Sequence, residues 1–165
     1  MKQHTVYLSV GSNLGDKTAN CQNGIEAVAD EENTLLVDQS PYYKTEPVGF
    51  EDQDWFINGV FCIQTLLAPE DLLARLKSIQ EKAGRKKSVI RNGPRILDLD
   101  ILLFDDLVVD TGDLVIPHPR MHERRFVLQP FCDISPDRVH PVLKKDMQTL
   151  LAELSGHGQE VEKVV

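Results

Sequence analysis

The sequence predicts an α+β domain: a ferredoxin-like βαββαβ antiparallel sheet, with two helices on one face and a C-terminal extension. Three observations predict it. Apolar runs of strand length recur at TVYLSV (5–10), WFINGVFCIQTLL (55–67) and LDLDILLF (97–104). Two stretches of helical periodicity lie between them. A proline-broken extended segment (34–45) adds a strand before the second long run, giving the order β-α-β-β-α-β.

The first strand ends in the turn GSNLGD. Residues 17–30 carry Ala19, Ile25, Val28 and Ala29, a weak helical stripe. TLLVDQSPYYKT reads as an edge segment, because proline cannot donate to a ladder. EPVGFEDQD (46–54) is a polar loop. Pro69 opens the second helix at a position that tolerates it. Leu72, Leu73, Leu76, Ile79 and Ala83 continue that helix with clear 3.6 spacing, and Gly84 is a fitting stop. Beyond the sheet come IPHP (116–119), an apolar patch FVLQPF (126–131) and a final helix near 146–155. The polar end from Gly156 onward is expected to fray.

The chain of 165 residues suits one domain, 1–165. Its net charge of −8 argues against nucleic acid as the main partner. It leaves room for a local basic site that takes a small anion. Three scattered cysteines without a CxxC motif read as reduced thiols rather than a zinc or disulfide framework. The N-terminal apolar run is too short for a signal peptide or a membrane span, so a cytoplasmic protein is expected, with no membrane partner. A monomer or a weak homodimer fits this composition.

The strand at 97–104 holds the chemistry. In a regular strand, Leu97, Leu99, Ile101 and Leu103 face one way, and Asp98, Asp100, Leu102 and Phe104 the other. Two carboxylates thus enter an apolar strand on one face, about 7 Å apart. Buried charge needs a partner. Immediately upstream, the acid-free stretch 82–97 carries Lys82, Arg85, Lys86, Lys87, Arg91 and Arg95, out of 18 basic residues in the chain. Gly84, Gly93 and Pro94 make this loop a candidate for large movement. Arginine and lysine suit phosphate oxygens, and paired carboxylates suit Mg²⁺. The same residues also fit a solvated loop, with Asp98 or Asp100 paired to Arg95.

Other motifs narrow the chemistry. GSNLGDKT fails the P-loop spacing by one residue, and Asp16 separates Gly15 from Lys17. His118 and His122 stand four apart, but Pro119 lies between them and HExxH is absent. His118, between two prolines, is placed for a hydrogen bond to a ligand or sits as a surface loop residue. Asn58 offers a donor and an acceptor that match the amide-like edge of a heterocycle. Phe56 and Phe126 could stack on such a ring or simply fill the core.

Taken together, GSNLGD, TEPVG, F-x-N, GR…GPRxLDLDIL and PHPRMHER-x-FVL resemble the 6-hydroxymethyl-7,8-dihydropterin pyrophosphokinases of folate biosynthesis. The resemblance spans about residues 5–135. It implies transfer of pyrophosphate from ATP to the pterin hydroxymethyl group, with release of AMP. It implies two Mg²⁺ ions held by Asp98 and Asp100, and catalytic support from Arg85 and Arg95. Lys87, Ile101, His118 and Arg124 would contact ATP. Thr45, Pro47, Val48, Phe56, Asn58 and Phe126 would form the pterin pocket, with Gly11 in its wall. The chain departs from the family's common residues at four positions: Asn92 for Trp, Lys87 for Arg, Gln80 for Glu and Ile96 for Thr. A non-catalytic nucleotide-binding module of the same fold is the competing expectation.

Overall fold

The computed structural model describes residues 3–29, 32–46, 54–84, 96–154 and 161–164. Pro47, Val48, Arg85, Lys87, Arg91, Asn92 and Arg95, and with them the expected loop closure over 85–95, lie outside the described residues.

Strand β1 (His4–Ser12) is the spine of the sheet. Helix α1 (Lys17–Val28) follows, capped by the Asp16 carboxylate, which accepts from the Ala19 N–H. The segment read as one extended stretch is two strands, β2 (Thr34–Gln39) and β3 (Tyr43–Thr45), interrupted around Pro41. Both pair antiparallel with β4 (Phe56–Thr65). Helix α2 (Pro69–Lys82) has Pro69 at its start and Glu70 and Asp71 in its first turn, where the helix dipole favours them. Strand β5 (Asp98–Phe104) then pairs antiparallel with β1. A two-strand hairpin, β6 (Val109–Asp110) and β7 (Val115–Ile116), precedes helices α3 (Arg125–Ile134) and α4 (Met147–Glu153).

The main sheet runs β5-β1-β4-β3-β8, with β2 also paired to β4. Strand β8 (Val161–Lys163) lies antiparallel on β3. The frayed tail expected from Gly156 onward is therefore corrected at this strand. Its ladder with Tyr43–Thr45 is a tertiary pairing that no local pattern of three residues announces.

Helices α1 and α2 share one face of the sheet, and α3 and α4 cover the other. On the first face, Val6, Leu8 and Val10 of β1, Phe61 and Ile63 of β4, and Leu99 and Ile101 of β5 pack against Ile25 and Val28 of α1 and Leu72 and Leu76 of α2. On the second, Tyr7, Val60, Cys62, Leu102 and Leu103 pack against Val127, Leu128 and Phe131 of α3 and Met147 and Leu150 of α4. The FVLQPF patch is the apolar stripe of α3, a helix that contains Pro130. Strict alternation along β5 also needs correction. The register shifts between Tyr7 and Leu8, where Tyr7 stands opposite Leu103 and Leu8 opposite Ile101. Leu102 is the extra residue of a bulge. Beyond it Leu103 joins the second core and Phe104 the first, the reverse of the simple period-2 reading.

Phe61 is fully buried where β4 meets both helices of the first face. Phe61→Ala should destabilise the domain by about 3–5 kcal/mol. Urea unfolding followed by circular dichroism measures this; a change much smaller than that would show that the first core tolerates the cavity.

Candidate active site

The pairing registers set the site. Gly11 stands opposite Asp98 on one side and Asn58 on the other, and Asn58 stands opposite Tyr43. Ser9 likewise stands between Asp100 and Val60. Directly opposed residues share a face of the sheet. Asp98, Asp100, Asn58 and, two residues on, Phe56 with its partner Thr45 therefore all face the α3 layer. Glycine in the middle of the first row puts no side chain between Asp98 and Asn58, and the Asn58 amide reaches over it. Two strand spacings separate them, roughly 10 Å. A Cβ at Gly11 would fall 2.5 Å from Asn58 Oδ1, so the backbone of β1 and that amide need a residue without a side chain here.

Each wall comes from a different element. Asp98 and Asp100 are half-buried on β5. Asn58 is 8% exposed and Thr45 only 1%. Thr45 Oγ1 is buried with no hydrogen-bond partner among the described residues. Such an orphan normally costs stability, so it marks a place where a bound molecule can supply the missing bond. Phe56 and Phe126 are partly exposed, at the start of β4 and in the first turn of α3. The Arg124 guanidinium lies over the Phe126 ring, 5.5 Å from its centroid.

Among the described residues, Arg124 lies close enough to both aspartates, and His118 to Asp98, for their charges to act on one another. Burial works against the Arg124 cation and lowers its pKa; Asp100 and, more weakly, Asp98 favour it, while Arg120 opposes it. The carboxylate pair and Arg124 are thus electrostatic partners. His118 follows the hairpin, and its backbone N–H donates to the Leu102 carbonyl on β5 at 2.9 Å. Its Nδ1 accepts from the Arg120 N–H at 3.1 Å, which puts the proton of the neutral ring on Nε2. Burial and the nearby Arg124 push its pKa down to about 4, against a smaller opposing pull from Asp98. At neutral pH His118 is therefore an uncharged N–H donor beside a carboxylate pair.

Ile101 does not join this group: its side chain lies in the first core, on the opposite face of β5. Two further residues hold the site in shape: Asn13, which nothing in the sequence marks, and Gln80, which stands where the family commonly has Glu. Asn13 is 1% exposed, and its amide donates to the Asp54 carbonyl, tying the end of β1 to the entry of β4. Gln80 of α2 is 5% exposed, and its side-chain carbonyl accepts from the Leu99 N–H at 2.9 Å, between the two aspartates. The donor set for a metal is two carboxylates on one face. Among the described residues no third His, Cys, Asp or Glu completes a cluster. That set fits Mg²⁺, which takes one or two protein carboxylates and completes its shell with water and phosphate oxygens.

Two outcomes follow from this geometry. Gly11→Ala should displace the Asn58 amide and destabilise the fold by roughly 1–3 kcal/mol, read from the urea midpoint. An unchanged midpoint would mean the amide swings aside freely. For His118, the folded pKa lies below the ordinary 6.5, so the unfolded chain takes up a proton that the native state refuses. That contribution to stability is complete above pH 6.5 and disappears as pH falls toward 4. His118→Gln should flatten the fall in urea midpoint across this window; an identical slope in both proteins would contradict the burial of a neutral ring.

Comparison with known proteins follows the same line. The Folic acid synthesis protein fol1 of Schizosaccharomyces pombe is 41% identical over 157 residues, covering 95% of this chain but 21% of that protein. The chain thus spans about one fifth of the length of that relative. A 2-amino-4-hydroxy-6-hydroxymethyldihydropteridine pyrophosphokinase of Pseudomonas aeruginosa is 44% identical, covering 80% of this chain and 81% of its own. Among solved structures, Plasmodium falciparum HPPK-DHPS with pterin and p-hydroxybenzoate superposes with a TM-score of 0.74 at 15% identity, over 93% of this chain and 42% of that one. This last likeness establishes the shared fold. Residues 7–136 match the model of the 7,8-dihydro-6-hydroxymethylpterin-pyrophosphokinases, and the chain belongs to that family.

Proposed function

We propose that the chain transfers pyrophosphate from ATP to the hydroxymethyl group of 6-hydroxymethyl-7,8-dihydropterin, releasing AMP. The observation that carries this reading is the cross-strand row Asp98–Gly11–Asn58. It brings a carboxylate suited to a cation and an amide suited to the edge of a heterocycle onto one sheet face, with a glycine between them. Family membership supports the same activity.

On this reading the pterin lies over Asn58 and Thr45. The Asn58 amide pairs with the donor–acceptor edge of the ring, and Thr45 Oγ1 gains the partner it otherwise lacks. Phe56 and Phe126 sandwich the ring, and Gly11 lets it approach the sheet. The triphosphate lies toward β5. Arg124 faces its negative charge, and His118 Nε2–H donates to a phosphate oxygen. Asp98 and Asp100 would hold two Mg²⁺ ions, which supply charge neutralisation and polarise the phosphoryl oxygens. The substrate hydroxyl attacks the β-phosphorus in line. The new O–Pβ bond forms as the bond from Pβ to the α,β-bridging oxygen breaks, the hydroxyl proton departs and AMP leaves. Positioning and fixed charge account for most of the acceleration. Arg85, Lys87 and Arg95 are assigned to the same charge by resemblance alone.

The strand order β5-β1-β4-β2 supports the ferredoxin-like reading, with α3 and α4 as the C-terminal extension. No helix among the described residues is long and apolar enough to cross a membrane. We read the chain as a single domain acting in the cytoplasm, as a monomer or weak homodimer.

Incubation with ATP, Mg²⁺ and the hydroxymethyl pterin should yield AMP as the nucleotide product. ADP would indicate simple phosphoryl transfer, and an absence of turnover would leave only a binding module. Asp98→Ala or Asp100→Ala should abolish transfer while pterin binding, followed by calorimetry, stays within a few fold of the parent; normal turnover in either would refute the metal assignment.

A further inference from the structure

We propose that Gln80 is a positioning residue for the carboxylate pair: it does for the outer edge of β5 what a neighbouring strand would do. The inference rests on the pyrophosphokinase reading only in naming Mg²⁺ as the cation those carboxylates hold.

Among the described residues, strand β5 is the last strand of the sheet and pairs only with β1. Edge strands present unpaired backbone groups. On β5 these groups are taken up from outside the sheet. The Leu102 carbonyl accepts from the His118 N–H, and the Leu99 N–H donates to the Gln80 side chain, both at 2.9 Å. Leu99 is the residue between Asp98 and Asp100. Its side chain is 4% exposed in the core against α1 and α2, so α2 grips residue 99 by both its backbone and its side chain. The two neighbours on the opposite face then have little freedom to splay or tilt. Mg²⁺ demands near-ideal octahedral geometry, so a small tilt of either carboxylate is felt in its affinity.

The amide is itself fixed. Gln80 Nε2 donates to the Leu76 carbonyl one turn back, at 3.3 Å, which turns Oε1 toward β5. At 5% exposure the group is sealed from water, so no solvent molecule can readily replace it as the acceptor. An amide provides this acceptor without charge. A carboxylate in the same place would accept the same bond but set a further negative charge behind the aspartates.

The test uses the full chain and two variants. Gln80→Met keeps the volume and removes the acceptor; Gln80→Glu keeps an acceptor. In Gln80→Met the Leu99 amide should lose its protection in hydrogen exchange, and the Mg²⁺ concentration for half-maximal activity should rise roughly 10–100-fold, as for other groups that orient metal ligands. The KM for the pterin should stay within about twofold of the parent. Mn²⁺ titrated by electron paramagnetic resonance, with and without a non-hydrolysable ATP analogue, should weaken in parallel. Gln80→Glu should keep the Leu99 amide protected and restore most of the metal affinity. Unchanged Mn²⁺ and Mg²⁺ affinity in a folded Gln80→Met variant would overturn the assignment. So would a Gln80→Glu variant that keeps the amide protected yet binds metal as poorly as Met. If the parent protein made no AMP, the pyrophosphokinase reading would fall, while amide exchange and Mn²⁺ binding would still decide the role of Gln80.

Discussion

The register of β1 between β4 and β5 is the constraint on which the site depends. A slip of one residue would turn every side chain of a strand to the other face. It would drive Asp98 and Asp100 into the α1–α2 core and bring Leu99 to the open face. The two cores on either side of the sheet make such a slip prohibitive, because β1 feeds Val6, Leu8 and Val10 to one core and Tyr7 to the other. The bulge at Leu102 serves the same end. It lets the start of β5 hold carboxylates on the α3 face, while Leu102 and Leu103 close the second core and Phe104 the first.

On the proposed reading, electrostatics explains how a chain of net charge −8 would take a polyanion. Net charge acts over long distances and is screened beyond about 8–10 Å at ordinary ionic strength. A phosphate at β5 instead feels its immediate neighbours. There the Arg124 cation is partly desolvated and favoured by Asp100 and Asp98. A dication between those carboxylates would compete with Arg124 for them, which frees the guanidinium to face the incoming phosphate. His118 adds a hydrogen bond without adding charge, because burial beside Arg124 keeps it neutral. On the proposed reading, this arrangement suits a metal–nucleotide complex better than the free nucleotide.

Much of this was legible in the sequence, for reasons that can be named. The helix α2 and the long strands β1, β4 and β5 each carry a strong local period, and each lies within a residue or two of its predicted place. Asp98 and Asp100 stood out because charge in an apolar strand is costly, and Asn58 because an amide interrupts an apolar run. Helix α3 was hidden: Pro130 sits inside it, and its residues read only as an apolar patch. Strand β8 and the Leu102 bulge exist only through pairing with distant segments. Asn13, and the bond that Gln80 makes to Leu99, were illegible for a related reason. These two side chains satisfy backbone groups 41 and 19 residues away in sequence, and nothing near them in the chain signals that demand.

The second helical layer decides what kind of site this becomes. The sheet alone would offer carboxylates and an amide on an exposed surface, where a salt bridge contributes little and a stacked ring gains little burial. The start of α3 places Arg124 and Phe126 over that surface, so charge and ring are both partly withdrawn from water. The cost of this arrangement shows at Thr45, whose buried hydroxyl has no partner among the described residues. A fold optimised for stability alone would fill that position with valine, which has the same shape and nothing to satisfy. On the proposed reading the threonine persists because the pterin supplies its missing bond. Thr45→Val should therefore raise the stability of the ligand-free protein while weakening its pterin binding, an opposed pair of effects that a purely structural threonine would not produce.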